Sequence, residues 1–137
     1  MDRVFLDANV LFSAAYRESS RLVLLWRVPE VELITSEYVR GEAARNLESD
    51  EQLQRLSDLL RSVKIFDEPI SDVDIPVEVI LPEKVLPILR AAIQSNATYL
   101  LTGDKTHFGQ LYGTTVNGVL ILSPAEFLAT RQSDPLP

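Results

Sequence analysis

Two acidic residues each close a short apolar run, and their placement points to chemistry before any other feature does. Asp7 ends Val4-Phe5-Leu6 in FLDANVLFSA, and Asp104 follows Tyr99-Leu100-Leu101 in YLLTGDKTHF. A short apolar run bounded by turn signals is the mark of a buried strand. In open parallel sheets, ligands bind in the crevice at the carboxyl ends of the strands, where the strand order reverses. If these two strands are neighbours, Asp7 and Asp104 point into one crevice. Taken singly, each is equally a helix cap or a turn residue, because Asp is common at strand-to-helix junctions. Carboxylates brought together repel, so a cleft holding several of them is expected to bind a divalent cation or to carry raised pKa values. Oxygen donors in near-octahedral geometry suit Mg²⁺ or Mn²⁺, ions that acidify a water and offset charge on a phosphate oxygen. The chemistry indicated is that of phosphate esters.

Composition narrows the field. The chain lacks cysteine and has His107 as its only histidine, which excludes a thiolate nucleophile, a structural disulfide and an ordinary zinc site. His107 sits beside Phe108 and reads as a packing or hydrogen-bonding residue rather than a general base, and Phe12 and Trp26 read as core. Thirteen Lys and Arg against twenty Asp and Glu leave a formal charge of −7, so nucleic acid cannot be gripped by bulk positive potential. Any such contact must be local, and Arg17 and Arg21, with Arg40 and Arg45, flank the first and third helices near the expected cleft.

The elements that must position these residues alternate. A strand ending at Asp7 leads into a helix through Tyr16. Ser19 and Ser20 cap a second helix carrying Leu22, Leu25 and Trp26, which Pro29 stops before a strand over Val31–Ile34. Ser36 caps a helix with Val39, Ala43 and Leu47 on one face, and another runs from Asp50 to Leu60. A strand over Val63–Phe66 precedes a proline-punctuated acidic connection from Asp67 to Pro82 that includes Asp72 and Asp74, read as a solvated loop. A helix around Ile88–Ile93, a strand over Tyr99–Leu101, a strand over Val119–Leu122 and a short helix from Pro124 follow. Strands joined by helical crossovers predict an α/β fold, a three-layer α/β/α sandwich around a parallel sheet of four to five strands. At 137 residues the chain is expected to form one domain, residues 1–130, with a flexible tail at 131–137. No apolar stretch approaches the roughly 20 residues that span a bilayer, and the N-terminus has no basic start followed by an apolar run, so a cytoplasmic location is expected.

LDANVLFSA with Asp7 and Asn9, SEYVRGEAARNL with Glu42, TGDKTHF with Asp104, and the closing GVLILSPAEFL occur in this order, and the set resembles the PIN domain over nearly the whole chain. The resemblance implies a VapC-like ribonuclease that uses Mg²⁺ or Mn²⁺ to cleave RNA phosphodiester bonds with metal-activated water. It further implies a toxin of a VapBC-type toxin–antitoxin pair, an antitoxin partner and a homodimer. Asp7, Glu42 and Asp104 would then be the catalytic carboxylates and metal ligands, with Asn9 and Thr102 supporting them. Without the resemblance, Glu42 reads as a surface partner of Arg45 or Asn46 at i+3 and i+4.

One departure stands out in PEKVLPIL. Members of this family usually carry an Asp where Val85 stands, near the cap of the helix whose first turn holds Pro87, and Val is a poor capping residue. Glu83 is the nearest substitute ligand. Two other readings follow. Val85 motivates a non-catalytic PIN scaffold that binds RNA or a partner protein. A haloacid-dehalogenase-like phosphatase would use Asp7 as nucleophile, but Asn9 stands where its general acid belongs.

Overall fold

A computed structural model of the chain describes residues 1–69, 75–76 and 78–131. Asp72 and Asp74 of the acidic connection, and residues 132–137 of the expected tail, lie outside the described residues. Strand β1 (Asp2–Leu6) runs into helix α1 (Ala8–Tyr16), and a 3₁₀ segment (Arg21–Arg27) leads to β2 (Val31–Ser36). Then come α2 (Glu37–Asn46), α3 (Asp50–Leu60), β3 (Val63–Phe66), α4 (Leu86–Gln94), β4 (Tyr99–Leu101) and the short α5 (Lys105–Phe108). A hairpin of β5 (Thr115–Val116) and β6 (Val119–Leu122) precedes α6 (Pro124–Arg131).

The sheet has the order β3-β2-β1-β4-β6-β5, parallel throughout except for the β5–β6 pair. From β1 the chain first steps outward through β2 to β3, then crosses back to lay β4 on the other side of β1. Parallel crossovers are right-handed, so this reversal carries α4 to the sheet face opposite α1–α3. α1 packs against α2 and α3, while α4 packs against β2 and β4. Covered on both faces, the central strands are apolar at successive positions rather than alternating. Val4, Phe5, Leu6, Ile34, Leu100, Leu101 and Ile121 are all fully buried.

The fold is the expected α/β class, but the sheet has six strands rather than four or five. The extra strand is β5. Asn117 (φ 48°) and Gly118 (φ 85°) form the two-residue turn that returns Val116 onto Val119 and Thr115 onto Leu120. Asn-Gly between β-branched residues is a strong hairpin signal, and here it specifies an antiparallel edge. The expected helix after Ser20 is a 3₁₀ segment instead, with the Ser20 hydroxyl accepting from Leu22 N at 3.3 Å. Arg131, assigned to the tail by the sequence, belongs to the domain. It closes α6, pairs with Asp2 and lays its guanidinium 4.8 Å from the Phe127 ring centroid.

Gly118→Ala should destabilise the domain by about 1–2 kcal/mol, the cost of holding a side chain in the left-handed region. Urea unfolding of the purified variant measures this, with no change expected in the helical circular dichroism of the folded state.

Candidate active site

The reversal of strand order falls between β1 and β4, where Leu6 pairs with Leu101. Asp7 and Thr102 therefore leave the sheet side by side, and the Asp7 amide still donates to Leu101 O at 3.1 Å. Asp7 caps α1 through Ala8 N at 2.7 Å and is only 2% exposed. Its second oxygen accepts from the fully buried Thr102 hydroxyl at 2.7 Å and from the Asn9 amide at 3.2 Å. Asn9 turns its own oxygen to Gly103 N at 2.7 Å. A β-carbon at position 103 would stand 3.2 Å from that oxygen, so the glycine of Thr-Gly-Asp keeps the approach open.

The same threonine oxygen accepts from Asp104 N at 3.1 Å, which sets the direction of the next carboxylate. Asp104 caps α5, accepting from His107 N at 3.1 Å, and its other oxygen lies 2.7 Å from His107 Nδ1. Both aspartates are thus helix caps and cleft residues at once; the two readings of each do not compete. Tyr112, which the sequence did not single out, donates its phenol to Thr102 O at 2.7 Å and holds the loop from the far side.

Glu42 arrives from α2, which starts where β2 ends because Ser36 caps it through Val39 N at 3.2 Å. Asn46 bonds the Glu42 backbone carbonyl at 3.0 Å rather than its carboxylate. Asp7, Asn9, Glu42, Asp104 and His107 line a single cleft of about 510 Å³ with Phe12, Asn46, Lys84, Val85 and Ile88. Phe12, expected as core, is half-buried in its wall. Trp26 packs against the core and donates its indole N–H to Leu59 O at 2.9 Å.

The remaining candidates lie elsewhere. Arg17 and Arg21 are exposed and are not among the lining residues, because Arg17 follows the C-terminus of α1 whereas the cleft lies at its N-terminus, about 13 Å away along the helix. Arg40 is exposed and pairs with Glu37. Glu83 is exposed and outside the lining; its neighbour Lys84 lines the cleft instead. Val85, 6% exposed, does occupy the residue before α4 and offers no side-chain cap. The end tolerates this because Leu86 N bonds Pro82 O at 3.3 Å, Ile88 N bonds Val85 O at 3.1 Å, and Pro87 has no N–H to satisfy.

Electrostatics mark the cleft as short of positive charge. Burial pushes the Asp7 carboxyl above its ordinary value despite the bonds from Thr102, Ala8 and Asn9, with the Asp104 charge adding to the rise. Burial also raises Glu42, as does the Asp7 charge, against a smaller opposing effect of Arg45. Among the described residues no three His, Asp or Glu side chains converge closely enough to hold an ion on their own. The carboxylates of the cleft, Asp7, Glu42 and Asp104, offer oxygen donors, the type that Mg²⁺ and Mn²⁺ take.

No family model matches the sequence, and no curated protein matches it. Among solved structures, the chain is similar to a chain of VapBC2 from Rickettsia felis, whose crystal structure is of the complex bound to a DNA fragment from their promoter. The TM-score is 0.58 at 16% identity, over 88% of this chain and 98% of that one. That likeness shows a PIN-like fold. No helix among the described residues is long and apolar enough to cross a membrane.

A carboxyl whose folded pKa is raised favours the fold most below its unfolded value, and that contribution is lost as pH rises through the folded one. In the absence of divalent cation, Asp7 and Glu42 should therefore make the domain less stable as pH climbs out of the ordinary carboxylate range. Glu42→Gln, which loses no described side-chain hydrogen bond, should flatten that decline, as urea titrations across the window would measure.

Proposed function

We propose that the cleft is the active site of a metal-dependent ribonuclease. One observation carries this reading: Asp7, Glu42 and Asp104, from three separate elements, line one cleft at the point where the strand order reverses. When bound there by these carboxylates, Mg²⁺ or Mn²⁺ would acidify a water and offset charge on a phosphate oxygen. The chain's own work is positional. Thr102 and Asn9 hold the Asp7 carboxylate and Gly103 in fixed directions, and His107 orients Asp104, so that the negative charge is set before substrate arrives. A carboxylate can only accept, so while Asp104 is ionised the proton of its 2.7 Å bond belongs to His107 Nδ1.

The likeness to a chain of VapBC2 supports a role as the toxin of a toxin–antitoxin pair, with an antitoxin as protein partner. A homodimer working in the cytoplasm is part of the same proposal. Val85 favours a second reading, a non-catalytic scaffold that binds RNA or a protein, since an apolar side chain stands where the resemblance expects a carboxylate.

The two readings separate in one assay. For the nuclease, single-stranded RNA should be cleaved with Mn²⁺ and not with EDTA, and Asp104→Asn should abolish cleavage. Thr102→Val, which removes the support of Asp7 without changing a ligand, should cost about 10–100-fold in activity. RNA binding with no Mn²⁺-dependent cleavage, and cleavage gained by Val85→Asp, would establish the scaffold instead.

A further inference from the structure

Among the described residues, Lys84 is the only lysine or arginine that lines the cleft. Three carboxylates line it as well, yet none of the described ion pairs includes Lys84. Its backbone is held firmly. Val85 N bonds Pro82 O at 3.0 Å to close a turn around Glu83 and Lys84, Pro82 and Pro87 restrict the chain on either side, and Tyr38 of α2 donates its phenol to Lys84 O at 3.2 Å. The turn thus places an exposed lysine at the cleft whose ammonium forms no ion pair among the described residues.

Such a group answers a need set by the rest of the molecule. A chain of net charge −7 whose cleft is lined by Asp7, Glu42 and Asp104 repels a polyanion. Of the arginines expected near the cleft, Arg17, Arg21, Arg40 and Arg45, none is in its lining, and Arg45 acts on the charge of Glu42 from outside it. We propose that Lys84 forms a phosphate-binding subsite of the cleft, gripping a backbone phosphate of the strand that occupies it. This rests on the nuclease reading, and it assigns to Lys84 a binding role rather than a part in the cleavage step.

The test is fluorescence anisotropy with a labelled single-stranded oligoribonucleotide in EDTA over a range of NaCl, beside steady-state cleavage of the same RNA with Mn²⁺. Lys84→Gln should weaken metal-free binding about twofold to fivefold and make the salt slope shallower by about 0.7, the loss of one phosphate contact on a single strand. In cleavage it should raise KM more than it lowers kcat. Lys84→Arg should restore both, and Lys64→Gln, an equal change of charge on β3, should leave both near wild type. If the wild type cleaves RNA while Lys84→Gln keeps its affinity, salt slope and KM, the subsite is refuted and the nuclease reading stands. If the wild type neither binds nor cleaves RNA, the nuclease reading falls and the subsite with it. If Lys84→Gln lowers apo stability at neutral pH without touching RNA affinity, Lys84 is a counter-ion for the carboxylates and the subsite is likewise overturned.

Discussion

The hydroxyl of Thr102 is the atom group on which the cleft depends. It donates to Asp7 and accepts from Asp104 N and, at 3.4 Å, from the Asn9 amide, so one fully buried oxygen orders residues from the ends of two strands. The parallel register of β1 and β4 makes this possible by placing Leu6 beside Leu101, one residue short of each partner. A buried polar network of this kind is stable only when every member is satisfied. Here the Thr102 backbone is also engaged on both sides, its N–H on Leu122 O and its carbonyl on Tyr112.

That network has an electrostatic consequence. Three donors reach Asp7, which favours its charged form, yet burial outweighs them and the carboxyl remains harder to ionise than a free one. Glu42 lacks comparable bonds among the described residues and feels Asp7 directly. The cleft therefore stores unfavourable charge in the absence of a ligand, and a cation or a protonated acid relieves it. Strain of this sort is kept where function requires it and is offset by the apolar core beneath, in which Phe5, Leu6, Leu100 and Leu101 are fully excluded from water.

The strand ends and the two aspartates were legible because apolar runs closing on Asp are short-range signals, and neighbouring strands then bring the acids together. Glu42 needed the resemblance, since helical spacing alone fits a surface pair equally well. Arg17 and Arg21 were misplaced because closeness in sequence says nothing about which end of a helix faces a site. Lys84 carried no pattern at all; only the turn begun by Pro82 and the Tyr38 contact place it. The poor cap at Val85 was visible, but its repair by the carbonyls of Pro82 and Val85 itself was not, because backbone partners leave no mark on side-chain identity. The hairpin did carry its signal, in Asn117-Gly118 between Val116 and Val119, but its first strand is only two residues long and leaves no apolar run of its own.

That small hairpin also governs how the molecule meets its own copies. The apolar β6, if left as the last strand, would offer a row of unpaired amides and carbonyls to any passing chain, the usual template for sheet growth between molecules. β5 covers Val119 and Leu120, and the chain before it continues the cover: Gly113 N takes Ile121 O at 2.8 Å, and Ile121 N takes Thr114 O at 3.1 Å. Only two residues of strand are spent, and being so short they make a poor template themselves. Loss of the left-handed turn would cost more than local stability: it would unmask a sticky margin on the β6 side, opening that edge to extension by strand exchange.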